Sequence, residues 1–385
     1  MKRIPITPRP DWEQKILEQG FLFYKEDCYY NESAVYEFTY AEIELIEKAT
    51  AEIFDMCLKV AEHVIEHKLW DEFLIPDEYA ALIEWSWKND QPSFYGRFDL
   101  AFNNGQIKLL EFNADTPTLL LESSVIQWYW LQDYNKELDQ YNNIHEALVA
   151  HISGCKPYLL PGKLFFTSPD NMEDFMTVKY MQDVAAQAGL ETEFLYIDDV
   201  GINDEGRFTD DKGNPIKNIF KIYPYEWLFD EPFGQYLISN RDECYWIEPP
   251  YKAILSNKMM LKYIYELFPD SPYILPCMAL KTGETGTLPA SYAKKPIFSR
   301  EGENVSLVLQ GQTLEETGGE YGDEGYVYQQ YFELPEFDGR HPIIGSWIIG
   351  GEPAGMGIRE SSGRITNVTS SFCSHYIAKE VKSEK

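Results

Sequence analysis

The stretch YGRFDLAFNNGQIKLLEFNADTPT, residues 95–118, is the most informative part of the 385-residue chain. Its alternating apolar and polar residues predict two strands that are joined by an asparagine–glycine turn, and such turns favour β-hairpins. Two registers are open. A two-residue turn at Asn104-Gly105 would place Asp99 opposite Leu110 and would send Glu111 to the other face of the sheet.

A three-residue loop changes that pairing. Arg97 would then lie opposite Glu111, Asp99 would lie opposite Leu109, and Asn113 would join the charged residues on one face. Two carboxylates and an amide supply the oxygen ligands that Mg²⁺ prefers. The neighbouring guanidinium offers a planar fork for phosphate or an oxyanion. The competing interpretation is a plain surface ion pair between the arginine and one carboxylate.

The composition excludes several classes of partner. Lys and Arg number 33 against 63 Asp and Glu, which gives a formal net charge of −30. Such an acidic chain does not suit a nucleic-acid backbone or an anionic membrane surface, although it tolerates a cationic partner such as a polyamine. No signal peptide is expected, and no apolar run reaches membrane-spanning length.

The six cysteines are scattered without a CxxC motif, so neither a zinc site nor a disulfide framework is expected. Reduced thiols fit a cytoplasmic protein. The final residues, KEVKSEK, are expected to form a frayed tail.

Helical and strand signals alternate along the chain. Thr39 and Glu42 form a capping box before an apolar helical pattern that continues to about residue 67. A second helical region is expected at about 123–151. From residue 163 a strand, a helix over about 174–189 and two further strands predict an open α/β unit. This unit lacks a G-x-G-x-x-G motif, so no dinucleotide-binding fold is predicted.

A few basic residues stand out in this acidic chain: Lys258, Lys295, Arg300 and Arg359. The segment SREGEN, residues 299–304, contains Gly302 and is a candidate phosphate-covering loop, although it is too poor in glycine for a P-loop. Isolated lysines are more often solvated than functional, and YQQYF at 328–332 is equally compatible with an ordinary strand.

Taken together, the motifs resemble one family. They are RFD at 97–99, LLEFNADTPT at 109–118, ILSNK at 254–258, KPIFSREGENVSL at 295–307, YVYQQYFELP at 326–335, GSWIIGG at 345–351 and GMGIRE at 355–360. Their order and spacing resemble the glutathionylspermidine synthase family over about residues 10–378. The resemblance implies an ATP-dependent carboxylate–amine ligase with an ATP-grasp fold, without the amidase domain of the bifunctional relatives.

The resemblance also implies roles for individual residues. Asp99, Glu111 and Asn113 would bind Mg²⁺, while Arg97 would contact ATP and stabilise the transition state. Lys258, Lys295 and Arg300 would lie at the ATP phosphates, with Glu301 and Gly302 closing over them. Gln329, Gln330, Tyr331 and Phe332 would lie at the adenine. Arg359 would face the transferred phosphoryl group, and Ile365, Thr366 and Asn367 would line the nucleotide site.

The substrate positions follow less directly. Thr116 and Thr118 replace a serine-containing stretch of the family, and Glu173 and Asp174 stand where an acidic pair meets the peptide substrate. Glu226 is the expected partner of an ammonium group. The acid is therefore expected to be peptide-like, and its partner to be an amine or polyamine.

The expected fold class is α+β, of the ATP-grasp ligase type. Residues 1–160 would form N-terminal helices and the metal-binding hairpin, 161–255 an α/β substrate lobe, and 256–385 a strand-rich ATP lid with the C-terminal strands. Two other functions remain open. A carbohydrate-active acidic hydrolase would use the aromatic residues and carboxylates but would leave the basic residues without a role. The second alternative is an ATP-grasp protein that binds its ligands without catalysing a reaction.

Overall fold

An antiparallel five-stranded sheet, to which the 95–118 stretch contributes two strands, lies at the centre of the protein. The computed structural model describes residues 1–25 and 29–379. In spatial order the strands of this central sheet are Ser371–Cys373, Glu352–Ser361, His341–Ile349, Tyr95–Asn103 and Gln106–Asn113. They come from the first and the third of the three expected segments, and that division of the chain stays a prediction.

The hairpin begins with the shorter of the two turns considered from the sequence. Asn103 pairs with Gln106, which leaves Asn104 and Gly105 as the two turn residues. Both have positive φ, 51° and 75°, the backbone conformation of the tight hairpin turn that asparagine and glycine favour.

The register then changes within the hairpin. Leu100 lies opposite Leu109, whereas the next pair inward is Asp99 opposite Glu111, so Leu110 is an additional residue on its strand. This β-bulge reverses the alternation of side chains on one strand only. The register of the two-residue turn is therefore confirmed from Asn103 to Leu100, whereas both pairings expected for Asp99 are wrong.

The bulge restores the arrangement that the longer loop would have produced. Arg97 pairs with Asn113, and Asp99 pairs with Glu111, so all four side chains share one face of the central sheet. We call it the carboxylate face. Phe98 and Phe112 lie on the opposite face, are buried and stack with their ring centroids 4.0 Å apart.

The long N-terminal helix forms as predicted and packs against the central sheet. It spans Tyr40–His67, and both hydrogen bonds of the Thr39–Glu42 capping box are present. Its apolar stripe is buried in the main hydrophobic core, where Thr50 bonds to Ser346 of the central sheet with 2.7 Å between the hydroxyl oxygens.

The second helical region is interrupted. It consists of a π-turn at Glu122–Ile126, a helix at Gln127–Asn135 and a further helix at Ile144–Cys155. The chain leaves the helical conformation between the last two because Asn142 makes a β-bridge to Gly355 of the central sheet. Tertiary pairing thus overrides the local helical pattern.

The expected α/β unit is confirmed as a parallel four-stranded sheet. Its strands, in spatial order, are Tyr245–Ile247, Asn218–Lys221, Leu164–Ser168 and Thr192–Tyr196. Helix Met172–Gln187 connects the third of these to the fourth, and Gly189 follows it with φ +84°.

A second antiparallel sheet, the 277–330 sheet, follows helix Met259–Leu267. In spatial order its strands are Cys277–Lys281, Gly325–Gln330, Tyr292–Pro296, Ser306–Leu309 and Gln312–Glu316. The 299–304 loop leaves this sheet after its central strand and turns toward the carboxylate face.

The other elements are shorter or peripheral. The remaining helices are Trp12–Glu18, Asp77–Lys88, Lys156–Tyr158, Ile197–Asp199, Tyr225–Asp230, Gln235–Ser239 and Lys252–Ser256. The remaining strands are Lys2–Pro5, Ala34–Phe38 and His375–Ile377, which form one sheet, and the pair Gly201–Ile202 and Phe208–Thr209.

Within residues 1–25 and 29–379, five cysteines are present, all of them buried and free. Cys28 and residues 380–385 of the expected tail lie outside the described residues. No helix in the described part of the chain combines the length and apolarity needed to cross a bilayer.

Candidate active site

A cavity of about 760 Å³ lies between the carboxylate face, the C-terminal ends of the parallel strands and the 299–304 loop. It is lined by residues from six of the seven motifs selected from the sequence, whereas GSWIIGG, residues 345–351, contributes none. Two of the expected site residues, Glu226 and Asn367, are not on its wall.

The carboxylate face forms one wall. The guanidinium of Arg97 is buried and binds Asp99 through two hydrogen bonds, with Nε–Oδ1 2.7 Å and Nη2–Oδ2 3.2 Å. Its Nη1 donates to the backbone oxygen of Thr118 at 2.7 Å. The ion pair considered from the sequence is thus present, but it lies inside the cavity wall rather than on the outer surface.

The two carboxylates differ in their environment. Burial raises the pKa of Asp99, as does the neighbouring Glu111, although Arg97 opposes the shift. Burial acts on Glu111 in the same direction, but Lys258, Lys295 and Arg97 outweigh it and lower the pKa of Glu111 to about 2. Glu111 is therefore held as the anion.

The donor set fits a hard divalent cation. Asp99, Glu111 and Asn113 present carboxylate and amide oxygens to the cavity, and Mg²⁺ takes such ligands while keeping positions for water and phosphate oxygens. Within residues 1–25 and 29–379, no cluster of three or more His, Cys, Asp or Glu side chains is arranged for a metal. The carboxylate face offers the oxygen donors that suit Mg²⁺.

Two lysines lie beside these carboxylates. Lys258 Nζ is 3.5 Å from Glu111 Oε2 and donates to the backbone oxygen of Ser299 at 2.8 Å. Lys295 is buried, and its Nζ donates to Leu110 O at 2.8 Å and to Gln329 Oε1 at 2.9 Å. Burial lowers the pKa of Lys295, and the proximity of Lys258 acts in the same direction.

Gln329 completes this arrangement. Its Nε2 donates to Leu109 O at 2.9 Å, so Lys295 and Gln329 together bind the two backbone carbonyls at the bulge. Gln330, Tyr331 and Phe332 continue the cavity wall beyond the end of the strand.

This wall is mainly apolar. Tyr331 and Ile365 pack with Val305, Leu307 and Ala293, and Phe332 packs with Leu110, Leu334 and Ile343. We call these two apolar groups the apolar slot, and their surface suits an aromatic ring system. Of the aliphatic residues of the slot only Ile365 was expected from the sequence, because the alternation of the others is that of any half-buried strand.

The 299–304 loop closes over the cavity from the 277–330 sheet. Glu301 and Gly302 have positive φ, 53° and 70°. A Cβ on Gly302 would lie 2.2 Å from the backbone oxygen of Thr366, so the close contact between the loop and Thr366 requires glycine. Two of the expected nucleotide segments therefore touch each other.

Arg359 extends from strand Glu352–Ser361 into the cavity. Its Nη2 donates to the backbone oxygen of Asn367 at 2.6 Å, whereas its Nε has no hydrogen-bond partner. Asn367 thus acts through its backbone, and its side-chain oxygen accepts from Thr369 instead.

The far end of the cavity holds the expected substrate positions. Glu173 and Asp174 lie in the first turn of helix Met172–Gln187, where Asn171 caps the helix by accepting from Asp174 N at 2.9 Å. Burial raises the pKa of Asp174 to about 6, and Glu173 contributes to the shift. Thr116 and Thr118 line the cavity opposite this helix.

Arg300 occupies an unexpected position at this end. Its Nη1 donates to Thr116 Oγ1 at 2.7 Å, and its Nη2 donates to Glu226 Oε1 at 2.9 Å. The guanidinium lies 5.4 Å from the centre of the Trp227 ring. The residue expected at the ATP phosphates is thus bonded to two of the five residues expected at the substrates, and the carboxylate of Glu226 is paired with an arginine.

Further cavity residues come from segments to which the sequence analysis assigned no function. Phe23, Tyr29, Trp227 and Arg364 line the cavity. Tyr29 donates to Glu122 Oε1 at 2.8 Å, and burial raises the pKa of this carboxyl to about 7. No sequence motif marks Tyr29 or Glu122; only the fold brings the N-terminal segment and the π-turn together.

Comparison with known proteins identifies the family. The family model described as glutathionylspermidine synthase preATP-grasp matches residues 3–378. The chain belongs to the glutathionylspermidine synthase family. It is 39% identical to a provisionally named acid–amine ligase of Haemophilus influenzae, a match that covers 98% of this chain and 99% of that one.

Longer members of the glutathionylspermidine synthase family are also similar. Trypanothione synthetase of Crithidia fasciculata is 31% identical over 78% of this chain, and bifunctional glutathionylspermidine synthetase/amidase of Escherichia coli is 26% identical over 83%. The matched parts cover 50% and 55% of those two proteins. A solved glutathione synthetase-like effector from Globodera pallida shares the fold, with a TM-score of 0.52, 11% identity and coverage of 97% of this chain and 100% of that one.

Membership in the glutathionylspermidine synthase family confirms the expected enzyme class, an ATP-dependent ligase that joins an acid to an amine. It also supports the mixed α/β, glutathione synthetase-like fold that the structure displays. The roles of individual residues remain proposals.

Proposed function

We propose that this enzyme forms an amide bond between a peptide-like acid and an amine or polyamine, with Mg-ATP as the energy source and an acyl phosphate as the intermediate. The observation that carries the proposal is the grouping of Lys258, Lys295 and Arg97 around an ionised Glu111, with Arg359 lining the same cavity, in a chain with net charge −30. Such a local reversal of charge is what a bound nucleotide requires.

The nucleotide would lie across the cavity. Its phosphates would be held by Lys258 and Lys295, which flank Glu111, and would be covered by the 299–304 loop, an ATP-grasp lid in this proposal. Its base would occupy the apolar slot beside Tyr331 and Phe332. Asp99, Glu111 and Asn113 would hold Mg²⁺, which neutralises charge on the phosphates when it is bound.

The first chemical step would join the substrate carboxylate to the γ-phosphoryl group. A carboxylate oxygen forms a bond to phosphorus, the bond to the β–γ bridging oxygen breaks, and ADP leaves. Arg359 reaches the cavity with its Nε unpaired and is therefore available to an anionic oxygen. Arg97 is held rigidly by Asp99 and Thr118 and adds a fixed positive charge at the same face.

The second step would transfer the acyl group. The amine nitrogen bonds to the acyl carbon, phosphate leaves with the carbon–oxygen bond pair, and the amine loses a proton. Neither step requires a nucleophilic side chain. The protein would contribute orientation, charge neutralisation and exclusion of water.

The acid and the amine would meet at the far end of the cavity. Thr116 and Thr118 offer polar groups to a peptide-like acid, while Glu173 and Asp174 place acidic groups where an ammonium ion would be favoured. A carbohydrate hydrolase would leave the four cations without a role, and the family contains synthetases, so we favour ligation.

A phosphate-release screen tests the proposal. The protein is incubated with ATP, Mg²⁺ and a matrix of short peptides against diamines and polyamines, and products are identified by mass spectrometry. Phosphate release and amide formation that both require an acid and an amine support it. ATP binding without amide formation from any pair would favour a catalytically silent binding protein instead.

A further inference from the structure

The guanidinium of Arg300 joins the 299–304 loop to the far end of the cavity. It belongs to the 299–304 loop, which extends from the 277–330 sheet, yet its two hydrogen bonds end on Thr116 and Glu226 at the far end of the cavity. The face of the Trp227 ring packs against it at 5.4 Å. The side chain thus spans the gap between the loop and the substrate end.

The residues that accept the hydrogen bonds of Arg300 are held in a rigid arrangement. Asp115 precedes Thr116, and its carboxylate accepts from Lys221 Nζ at 2.5 Å and from Tyr225 N at 3.0 Å. Tyr225 directly precedes Glu226. The two residues that accept from Arg300, Thr116 and Glu226, are therefore each next to a member of the hydrogen-bonded pair Asp115 and Tyr225. Asp115 and Lys221 are both buried, which fixes the spacing between the acceptors.

The position of Glu226 indicates that its carboxylate pairs with Arg300 rather than with an amine in the main cavity. Its carboxylate is not on the wall of the main cavity but on that of a small adjoining cavity of about 30 Å³. Arg300 and Thr116 line both cavities, as do Glu111, Asn113, Lys258 and Ser299, so they belong to the boundary between the two. An amine in the main cavity would meet Arg300 before it met Glu226.

The loop also has a contact on the nucleotide side, besides the hydrogen bonds that its residues 302–304 make with residues 317–321. Ser299, the neighbour of Arg300, accepts through its backbone oxygen from Lys258, which itself lies beside Glu111. Holding Arg300 in place therefore also holds the carbonyl that orients Lys258. Two adjacent residues of the loop therefore touch the proposed phosphate site and the proposed substrate site.

We propose that Arg300 is a positioning residue that latches the 299–304 loop onto Thr116 and Glu226, so that the cavity stays closed to water while the activated acid waits for the amine. The inference rests on the proposed function. When the latch is open, water can attack the acyl phosphate, which regenerates the acid and releases phosphate without amide. The latch thus acts on the fate of the intermediate rather than on its formation.

Two measurements test the latch, each with the variants Glu226→Gln and Arg300→Lys and with Asp230→Asn as the matched control. Asp230 lies on the same short helix as Glu226, is exposed, and is remote from the loop contacts described above. The first measurement is hydrogen exchange of the backbone amides of the 299–304 loop in the full chain without ligands. We expect exchange about threefold or more faster in Glu226→Gln than in the wild type or Asp230→Asn, since a partly exposed ion pair is lost.

The second measurement is the ratio of phosphate released to amide formed, with ATP, Mg²⁺, glutathione and spermidine as the probes. The latch predicts a ratio near one for the wild type and Asp230→Asn, and a rise of several-fold for Glu226→Gln. Arg300→Lys should show an intermediate rise because one ammonium cannot reproduce the fork of a guanidinium. The reversed pair, Glu226→Arg with Arg300→Glu, should recover part of the loop protection.

The outcomes separate the latch from the proposed function. Unchanged loop exchange in Glu226→Gln overturns the latch whatever the activity. A raised KM for spermidine with an unchanged phosphate-to-amide ratio overturns it as well and makes Glu226 an amine ligand. Absence of wild-type turnover counts against the proposed function alone, because the exchange measurement needs no substrate.

Discussion

The ammonium nitrogen of Lys295 lies 2.8 Å from the backbone oxygen of Leu110, the additional residue of the β-bulge. The contact joins the 277–330 sheet to the strand that carries Glu111. Lys294, the preceding residue, points to the opposite face of its strand, where its Nζ lies 3.6 Å from the centre of the Tyr326 ring. The two adjacent lysines therefore provide an internal comparison.

Replacing Lys295 should weaken nucleotide binding far more than replacing Lys294. Lys295→Ala removes a cation from the cavity and leaves Leu110 O and Gln329 Oε1 without their donor. We expect the Kd for a non-hydrolysable ATP analogue, measured by calorimetry, to rise about tenfold or more, since a hydrogen bond to a charged group contributes ~1.5–3 kcal/mol. Lys294→Ala should stay within about twofold of the wild type, because exposed cation–aromatic contacts are weak. Equal effects would contradict the assignment.

Glu111→Gln should abolish metal-dependent ATP turnover. The change removes the ionised carboxylate that is held by Lys258, Lys295 and Arg97, while its shape is nearly preserved. At saturating Mg²⁺, the rate of phosphate release should be about a hundredfold or more lower than in the wild type. A loss of this size is typical when an electrostatic group is removed from an active site. Glu333→Gln, an exposed change just beyond the cavity strand, is the control. A Glu111→Gln enzyme with an unaltered Mg²⁺ profile would show that the metal binds elsewhere.

Gly302→Ala should impair closure of the 299–304 loop. The added Cβ would lie 2.2 Å from Thr366 O, and the φ of +70° is unfavourable for alanine. Gly311→Ala is a matched control, because Gly311 has a φ of +78° in a turn of the same sheet but nothing within 4 Å of its Cβ position.

Both glycine substitutions carry the backbone cost of about 1 kcal/mol for a residue forced into the left-handed region. Only Gly302→Ala should also weaken binding of the ATP analogue. Comparable losses of affinity in the two variants would mean that the contact between Gly302 and Thr366 has no part in nucleotide binding.

Glu122→Gln should stabilise the protein at high pH. The pKa of Glu122 is raised from an ordinary 4.5 to about 7, mainly by burial. The folded state therefore binds a proton more tightly than the unfolded state, and the wild type loses stability as pH rises from about 4.5 to 7. The variant has no charge to bury, and its amide oxygen can still accept from Tyr29. Its stability advantage should be absent near pH 4.5 and should reach up to about 3 kcal/mol near pH 8.

Urea unfolding at several pH values measures this difference. Glu146→Gln, an exposed change on helix Ile144–Cys155, should show no such dependence on pH. A Glu122→Gln protein that is destabilised equally at pH 5 and pH 8 would show that Glu122 stabilises the fold as an anion.

The hairpin, the capped helix of residues 40–67 and the parallel sheet could be predicted from the sequence, because each depends on local signals. It could not predict the register at Asp99 and Glu111. That register depends on a bulge whose carbonyls are bound by Lys295 and Gln329, about 185 and 220 residues away along the chain. Local turn chemistry determined the tip of the hairpin, and tertiary contacts determined its base.

The candidate site shows the same division. Most residues selected through their motifs do line one cavity, whereas the bonding of Arg300 to Thr116 and Glu226 could not be inferred from spacing. Tyr29 and Glu122 were missed because each lies in a segment with ordinary composition. Their proximity depends on packing between distant parts of the chain rather than on any pattern within one segment.

The pairing of strand Tyr95–Asn103 with strand His341–Ile349 also constrains how the protein can fold. About 240 residues separate the partners, and the cost of closing so long a loop is met only when the later strand is available. During synthesis the hairpin would leave the ribosome with one edge unpaired and would keep it so until nearly the whole chain had emerged. Such an edge invites pairing with other chains, so we expect refolding yields to fall steeply with protein concentration and to improve with chaperones that shield exposed strands.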